Sequence, residues 1–368
     1  MNKTMTKKIR VGILYGGKSA EHEVSIRSAK NIIDALDKNK YEPILIGIDK
    51  TGRWLPEVES KSILKGEKID KKHTFNTVAL AAQDNGRIIE TSSVGLNEPI
   101  DVFFPVLHGP FGEDGTIQGL LKLANVPFVG AGVLGSAIGM DKDVMKRLLR
   151  DAGLPIAKFQ VIKKHELADI SFKKIKKELG LPLFVKPANL GSSVGVSKVH
   201  SEKEFEKAID SAFLYDNKIL IEENISGREI ECSVLGNEKP AASLPGEIIP
   251  KHEFYSYEAK YLDENGAELK IPAELTKSTI KNIQKMAIKT FEVLCCEGMA
   301  RVDFFLTKDN KIIVNEINTI PGFTSISMYP KLWEASGMPY SKLIDTLIEL
   351  AIDRFNGEGK LKTSFILE

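Results

Sequence analysis

Two stretches of this chain carry charged and amide side chains at alternate positions of apolar runs. They are Ala300-Arg301-Val302-Asp303-Phe304-Phe305 and Ile313-Val314-Asn315-Glu316-Ile317-Asn318. Residues two apart on a strand share a face, so Arg301 goes with Asp303, and Glu316 with Asn318. A turn at Asp309-Asn310 sets Asp303 opposite Glu316 and Arg301 opposite Asn318. Two carboxylates opposed across a ladder repel each other unless a cation lies between them. With the Asn318 oxygen beside them they make an all-oxygen site for a hard cation such as Mg²⁺. The bland alternative is the exposed polar face of a hairpin. Three oxygen ligands and an arginine on one face, with apolar residues on the other, favour the metal reading.

A second stretch, Val185-Lys186-Pro187-Ala188-Asn189-Leu190-Gly191-Ser192-Ser193-Val194-Gly195, is a strand ending in lysine followed by a Gly/Ser loop. Such a loop can wrap backbone N–H groups round phosphate oxygens. It lacks the G-x-x-x-x-G-K-[ST] order of a Walker A loop, and a plain glycine-rich hairpin turn stays an equal alternative. Glu222-Glu223 at a strand end and Glu229 beyond it are either solvated carboxylates or acceptors for a ribose. Two further loops are dense in Gly and ionisable groups. One is Gly16-Gly17-Lys18-Ser19-Ala20-Glu21-His22-Glu23-Val24-Ser25; the other is His108-Gly109-Pro110-Phe111-Gly112-Glu113-Asp114-Gly115-Thr116. The first is not a G-x-G-x-x-G dinucleotide fingerprint.

The elements that must position these residues read as follows. Strands over 9–15, 43–48 and 101–108 alternate with helices over 24–36 and 115–124, which predicts a parallel, doubly wound sheet. In such sheets ligands bind beyond the carboxyl ends of the strands, where both loops fall. A helix over 141–152 stops at Gly153 and Pro155. An α+β module follows, with strands over 158–162, 183–186, 195–199 and 219–222 and helices over 166–179 and 202–214. A strand over 228–235, a long helix over 276–295, the two chemistry-bearing strands and a helix over 341–355 complete the chain. The expected units are an N-terminal α/β domain (1–139), a central subdomain (140–226) and a C-terminal subdomain (227–368).

At 368 residues the chain suits two or three packed domains. A hydrophobic content of 42% with 27% charged residues is that of a soluble globular enzyme. With 51 basic and 50 acidic residues the formal net charge is +1, which gives no reason to expect a nucleic-acid or membrane partner. No apolar run has membrane-spanning length, and the basic N-terminus lacks a secretory signal's apolar region, so a cytoplasmic protein is expected. Cys232, Cys295 and Cys296 form neither a disulfide framework nor a zinc pattern and read as packing residues.

Taken in order, these stretches resemble the D-alanine–D-alanine ligases of the ATP-grasp superfamily over nearly the whole chain. The resemblance is carried by the 16–25 and 108–116 loops, Met140-Asp141-Lys142, the 186–195 loop and Tyr257-Glu258-Ala259-Lys260-Tyr261. Asn315-Glu316-Ile317-Asn318-Thr319-Ile320-Pro321-Gly322-Phe323-Thr324, continuing to Ser327-Met328, completes it. The resemblance implies a three-domain ATP-grasp fold, α/β and α+β, and a homodimer. It implies ATP as co-substrate, D-alanine as substrate, two Mg²⁺ (or Mn²⁺) ions, and an acyl-phosphate route to the dipeptide used in peptidoglycan synthesis. By the same resemblance, Lys142 and Lys186 contact ATP phosphates, Glu222 binds the adenine amino group and Glu229 the ribose. The segment from Glu223 to Ile225 borders the adenine through its backbone, and Asp303, Glu316 and Asn318 hold the metals. Glu21, set with Ser192 and Tyr261, anchors the first D-alanine's ammonium, and His108 helps place that substrate. Arg301 and the Gly322 N–H stabilise the oxyanion, while Lys260, Ser327 and Met328 receive the second substrate. The polar, glycine-ended 256–266 segment is expected to close as a lid. The sequence departs from some relatives at Glu223-Asn224, where they carry a basic and an aromatic residue. Rival readings are a ligase taking D-serine or D-lactate as acceptor, which Tyr261 disfavours for D-lactate, and a nucleotide-binding regulator without chemistry.

Overall fold

The computed structural model describes residues 7–67, 77–90, 99–251 and 267–362. Lys260, Tyr261 and the expected lid over 256–266 lie outside them, as do the last residues of the polar C-terminus. The first third runs β1 (Ile9–Gly16), α1 (His22–Ala35), β2 (Tyr41–Ile48), α2 (Glu57–Leu64), β3 (Val78–Leu80), β4 (Ile88–Glu90), β5 (Val102–Val106) and α3 (Thr116–Leu123). Strands β2, β1 and β5 form the expected parallel sheet in that order. Its central strand is buried on both faces, with Val11, Ile13, Leu14 and Tyr15 all at 0% exposure, as parallel strands covered by helices must be. The loops after β1 and β5 leave at the same sheet edge, which brings Glu21 and His108 together.

Helices α4 (Val133–Met140) and α5 (Lys142–Asp151) follow, joined at Asp141, whose carboxylate accepts from the N–H groups of Asp143 and Val144. The central module comprises β6 (Phe159–Lys163), α6 (Phe172–Leu179), β7 (Leu183–Pro187), β8 (Ser197–Val199), α7 (Glu202–Ala212) and β9 (Lys218–Glu223). Its antiparallel sheet is ordered β6-β9-β7-β8 and has its own apolar cluster around Val185, Phe205 and Ile221. The single helix expected over 166–179 is broken. A 3₁₀ turn over Lys164–Asp169 comes first, and α6 starts afresh at Phe172 because Ser171 turns extended and caps it, accepting from the Lys174 N–H.

The last third is β10 (Gly227–Gly236), β11 (Ala241–Ala242), β12 (Gly246–Pro250), β13 (Ala267–Lys270), α8 (Lys277–Val293), β14 (Gly298–Thr307), β15 (Ile312–Asn318), α9 (Met328–Ala335) and α10 (Tyr340–Glu358). An antiparallel sheet ordered β13-β12-β10-β14-β15 buries one face against α5 and α8 through Ile230, Val302, Phe304, Val314 and Phe291. Cys232 and Cys296 are buried as expected, but Cys295 is exposed. It follows the end of α8 in the left-handed region (φ 53°), which turns its side chain away from the core that receives its neighbour.

Phe323 ties the first sheet to the C-terminal helices. Its fully buried ring meets Phe104 edge-on at 5.9 Å and packs on Tyr329 at 5.6 Å and Tyr340 at 6.4 Å. Its N–H donates to Ser28 Oγ at 3.1 Å, and its carbonyl accepts from Asn31 Nδ2 at 3.1 Å and Tyr340 Oη at 3.0 Å. The loop bearing Gly322 is therefore fixed against α1. Removing the ring by Phe323→Ala is expected to destabilise the protein by about 3–5 kcal/mol, the usual cost of emptying a buried aromatic site. A thermal melt checks this; a Tm equal to that of the wild type would show that the junction is not held by this ring.

Candidate active site

The expected register holds: Asp303 lies opposite Glu316 and Arg301 opposite Asn318. A β-bulge between Asp303 and Phe304 then shifts the ladder, so that Phe304 faces Val314 and Asn315 is the extra residue. On the other side, β10 sets Glu231 opposite Asp303 and Ser233 opposite Arg301. Three strands thus present Glu231, Arg301, Asp303, Glu316 and Asn318 on one face.

Arg301 is the hub of that face. Its Nε and Nη2 each donate to an Asp303 oxygen at 2.8 Å, and Nε lies 2.9 Å from Glu231 Oε2. Burial works against its charge, but Asp303 and Glu231 outweigh burial and raise its pKa well above the usual arginine value. Asn318 Nδ2 donates to Asp303 Oδ2 at 3.0 Å, and Lys142 Nζ stands 3.7 Å from Glu316 Oε2. Asp303, Glu316 and Asn318 can each offer oxygen, a donor chemistry that fits a hard divalent cation. Among the described residues no group of three His, Cys, Asp or Glu side chains is set to hold a metal.

The lysines come from two elements. Lys142 opens α5; its N–H donates to Ala188 O at 3.0 Å and its Nζ to Leu190 O at 2.7 Å, which pins the Gly/Ser loop. The base of that loop is also held by Asp216, whose Oδ2 accepts from Asn189 N at 2.8 Å and Asn189 Nδ2 at 3.0 Å. Lys186, on β7, is ion-paired with Glu222 on β9. Burial alone would raise the Glu222 carboxyl, but Lys146 and Lys186 outweigh it and hold it below the usual range. Glu223 points elsewhere and accepts from the Lys158 N–H at 2.7 Å. Ile225 lies in the short link between β9 and β10, and Glu229 sits on β10 opposite Phe305, on the charged face.

The loops of the first sheet meet the Gly/Ser loop directly. Ser192 Oγ donates to Glu21, and Ser192 and Ser193 both hold left-handed backbone (φ 53° and 59°), a conformation uncommon outside glycine. A Cβ at Gly109 would lie 3.3 Å from Glu21 Oε2, and its φ of 75° is left-handed, so this glycine lets backbone close on that carboxylate. His108 is buried, with Nδ1 3.0 Å from Ile320 O and Nε2 enclosed without a hydrogen-bond partner among the described residues. Burial, helped by Arg301, lowers its pKa against the pull of Glu21 and the Ile320 carbonyl. Burial disfavours the charged ring, and with Nδ1 facing the Ile320 carbonyl the neutral tautomer carries its proton there and leaves a lone pair on Nε2. At the start of α9, Ser327 Oγ accepts from Thr324 N at 3.0 Å, and a Cβ on Gly322 would meet that oxygen at 2.7 Å. Met328 turns its side chain into an apolar cluster with Ile248 and Leu332, which leaves its N–H as the group at the helix start.

Most of the expected residues converge: Glu21, Ser192, His108, Lys142, Lys186, Glu222, Arg301, Asp303, Glu316, Asn318, Gly322 and Ser327. Three more belong here that sequence reasoning missed. Glu231 was signalled by the same two-residue alternation as Glu229. Lys146 follows Lys142 by four, one helical turn on the same face. Glu113 lies inside a loop already singled out; its Oε2 accepts the Gly109 N–H at 2.7 Å.

Two family models cover most of the chain: "D-ala D-ala ligase N-terminus" matches residues 10–131 and "D-ala D-ala ligase C-terminus" residues 148–349. A D-alanine–D-alanine ligase of Oceanobacillus iheyensis is 55% identical over 97% of this chain and 99% of its own length. D-alanine–D-alanine ligase A of Escherichia coli K12 is 50% identical over 97% of this chain and all (100%) of its own. Among solved structures, the D-alanine–D-alanine ligase from Coxiella burnetii superposes with a TM-score of 0.84 at 43% identity, covering 96% of this chain and 97% of its own. The VanG D-Ala:D-Ser ligase from Enterococcus faecalis also reaches 0.84, at 35% identity, covering 94% of this chain and 100% of its own.

Glu113 supplies a test of the site's electrostatics. Burial, reinforced by Glu21, pushes its carboxyl up from 4.5 to about 8. The folded chain thus keeps this proton while the unfolded chain releases it, so the group's contribution to stability is lost as pH rises across that window. Glu113→Gln, which mimics the neutral acid, is expected to show a smaller fall in stability than the wild type between about pH 5 and 8. Urea midpoints measured across that range check it, and parallel curves for the two proteins would contradict the raised pKa.

Proposed function

This chain belongs to the D-alanine–D-alanine ligase family, and from that premise we propose that it couples ATP hydrolysis to ADP and phosphate with the joining of two D-alanines, for cell-wall precursor synthesis. The observation that carries the reading is the meeting of the Arg301 face with the Glu21–Ser192 contact and the Lys142-pinned loop, because ligation needs both a phosphoryl site and an amino-acid site within one atom-transfer distance.

The chemistry divides among the chain's own residues. Lys142 and Lys186 bind phosphate oxygens of ATP, and the carboxylate of Glu222 accepts the adenine 6-amino group while Glu229 receives the ribose. Glu21 binds the ammonium of the first D-alanine, with Ser192 holding the carboxylate in place and His108 Nε2 accepting from the substrate. The first D-alanine's carboxylate oxygen attacks the γ-phosphorus, ADP departs, and an acyl phosphate results. The second D-alanine's amine, once it has lost a proton, attacks the acyl carbon. Arg301 and the Gly322 N–H donate to the developing oxyanion, and the C–O bond to phosphate breaks. Lys260, Ser327 and the Met328 N–H hold the second carboxylate. Asp303, Glu316 and Asn318 would hold Mg²⁺ or Mn²⁺, which supplies positive charge beside the phosphate oxygens.

A homodimer in the cytoplasm belongs to the same proposal. It is supported by the exposed apolar side chains Leu120, Leu123, Val133 and Leu134 on the neighbouring helices α3 and α4. Among the described residues no helix is long and apolar enough to cross a membrane. The similarity to a D-Ala:D-Ser ligase makes the acceptor the point to test. Coupled measurement of ADP release with D-alanine alone, and with D-serine or D-lactate added, is expected to show dipeptide formation dominated by D-alanine. In the same assay Arg301→Lys, which keeps charge but loses the planar fork, is expected to lower kcat by about two to three orders of magnitude. ADP release that needs D-serine or D-lactate would overturn the acceptor, and a rise in KM with kcat unchanged would make Arg301 a binding group.

A further inference from the structure

Lys146 is the most deeply enclosed charge in the site, at 0% exposure, and none of the roles above uses it. It stands one turn after Lys142 on α5, so one helix face delivers two ammonium groups to different partners. Lys142 reaches the Gly/Ser loop and Glu316, whereas Lys146 is ion-paired with Glu222 and donates to Asn315 O at 3.3 Å. That carbonyl belongs to the residue left over by the bulge beside Asp303, so Lys146 spans the two sheets that enclose the nucleotide site.

Glu222 is only 3% exposed and holds two lysines, Lys146 and Lys186. As the phosphate lysine, Lys186 would share its charge between Glu222 and the nucleotide. An ammonium has three donors and a carboxylate about four acceptor sites, so both contacts can coexist, but phosphate that draws Lys186 toward itself weakens the counter-charge of Glu222. Were Glu222 to depend on Lys186 alone, releasing that lysine would strand a buried carboxylate without a counter-charge, which is strongly unfavourable. Lys146 supplies the lasting counter-charge because its own position does not depend on nucleotide: α5 fixes its stem and Asn315 O fixes its head.

We propose that Lys146 is a positioning residue for nucleobase selection, holding Glu222 as an ionised, oriented acceptor for the 6-amino group while Lys186 is freed to bind phosphate. This rests on the reading of Glu222 as the adenine acceptor and adds the group that makes it workable. The consequence is a preference for a 6-amino purine over a 6-oxo purine, since a carboxylate accepts from the former and repels the carbonyl oxygen of the latter.

The test compares ATP with inosine triphosphate in the full-length enzyme. Lys146→Met keeps the length of the stem and removes the charge. It is expected to raise KM for ATP at least about tenfold with KM for D-alanine within about twofold. The ATP-to-ITP ratio of kcat/KM is expected to fall at least about tenfold. Lys146→Gln, which retains a donor for Asn315 O, is the second variant and is read in the same way should the methionine variant fail to fold. Glu222→Gln separates the two levels of the argument. If Glu222→Gln leaves the ATP preference intact, the adenine assignment of Glu222 fails, and the inference with it. If Glu222→Gln abolishes the preference but the Lys146 variants keep it, the inference about Lys146 alone is overturned. If Lys146→Met in the Glu222→Gln background changes the ratio no further, the two residues act as one unit, as proposed. A further fall in that background would show that Lys146 acts by another route and would overturn the proposal.

Discussion

A buried charge must find its counter-charge inside the protein, and this site is organised around the burial of Arg301 among carboxylates. Asp303 takes both arms of the guanidinium and Glu231 shares its Nε, so neither carboxylate needs solvent. The same rule operates a few residues away, where Glu222 sits between Lys146 and Lys186 and Glu316 stands by Lys142. Each cluster is satisfied within the protein, yet each contains a group whose partners can be exchanged for a substrate's. Phosphate oxygens can replace carboxylates on the lysines, and a developing oxyanion can share Arg301. That exchange of like for like lets the groups stay ionised when a substrate takes the place of a protein partner.

The fold holds these clusters on rigid elements. Arg301 and Asp303 stand on a ten-residue strand paired on both sides, and α5 carries both Lys142 and Lys146. Loops supply the remaining groups, and each is tied at a definite point. The Gly/Ser loop is held by Lys142 and Asp216, His108 by the Ile320 carbonyl, and the Gly322 loop by Phe323 packed against α1 and α10. The strained backbone at Ser192 and Ser193 falls where two domains' loops touch, at the hydroxyl that donates to Glu21. Strain concentrated at such a contact is what a site paid for by surrounding packing looks like.

Much of this was legible in the sequence because strand alternation is a local signal. The facing of Asp303 by Glu316 and of Arg301 by Asn318 followed from a two-residue period and one turn, and the parallel sheet followed from strands alternating with helices. The bulge after Asp303 was not legible, since an inserted residue is fixed by pairing energies across the sheet and leaves no mark in the pattern. Glu231 shares the two-residue alternation of Glu229, but its importance comes from β10 lying beside β14, a neighbour relation that no local pattern states. Lys146 looked like an ordinary helix lysine until the packing of α5 against β15 and β9 enclosed it. The break at Ile170-Ser171 was missed because the apolar spacing continues through it, although the serine cap was there to be read. Met328, named for the acceptor site, spends its side chain on the apolar cluster with Ile248 and Leu332.

The central claim is that the charged face activates the first D-alanine's carboxylate by phosphorylation, and oxygen tracing tests it most directly. With D-alanine carrying ¹⁸O in its carboxyl group, attack on the γ-phosphorus places one labelled oxygen between carbon and phosphorus. Displacement by the second amine breaks the bond on the carbon side, so that oxygen leaves with phosphate. The expected result is one ¹⁸O in each phosphate released per dipeptide formed, measured by mass spectrometry. Dipeptide formed alongside unlabelled phosphate would contradict it.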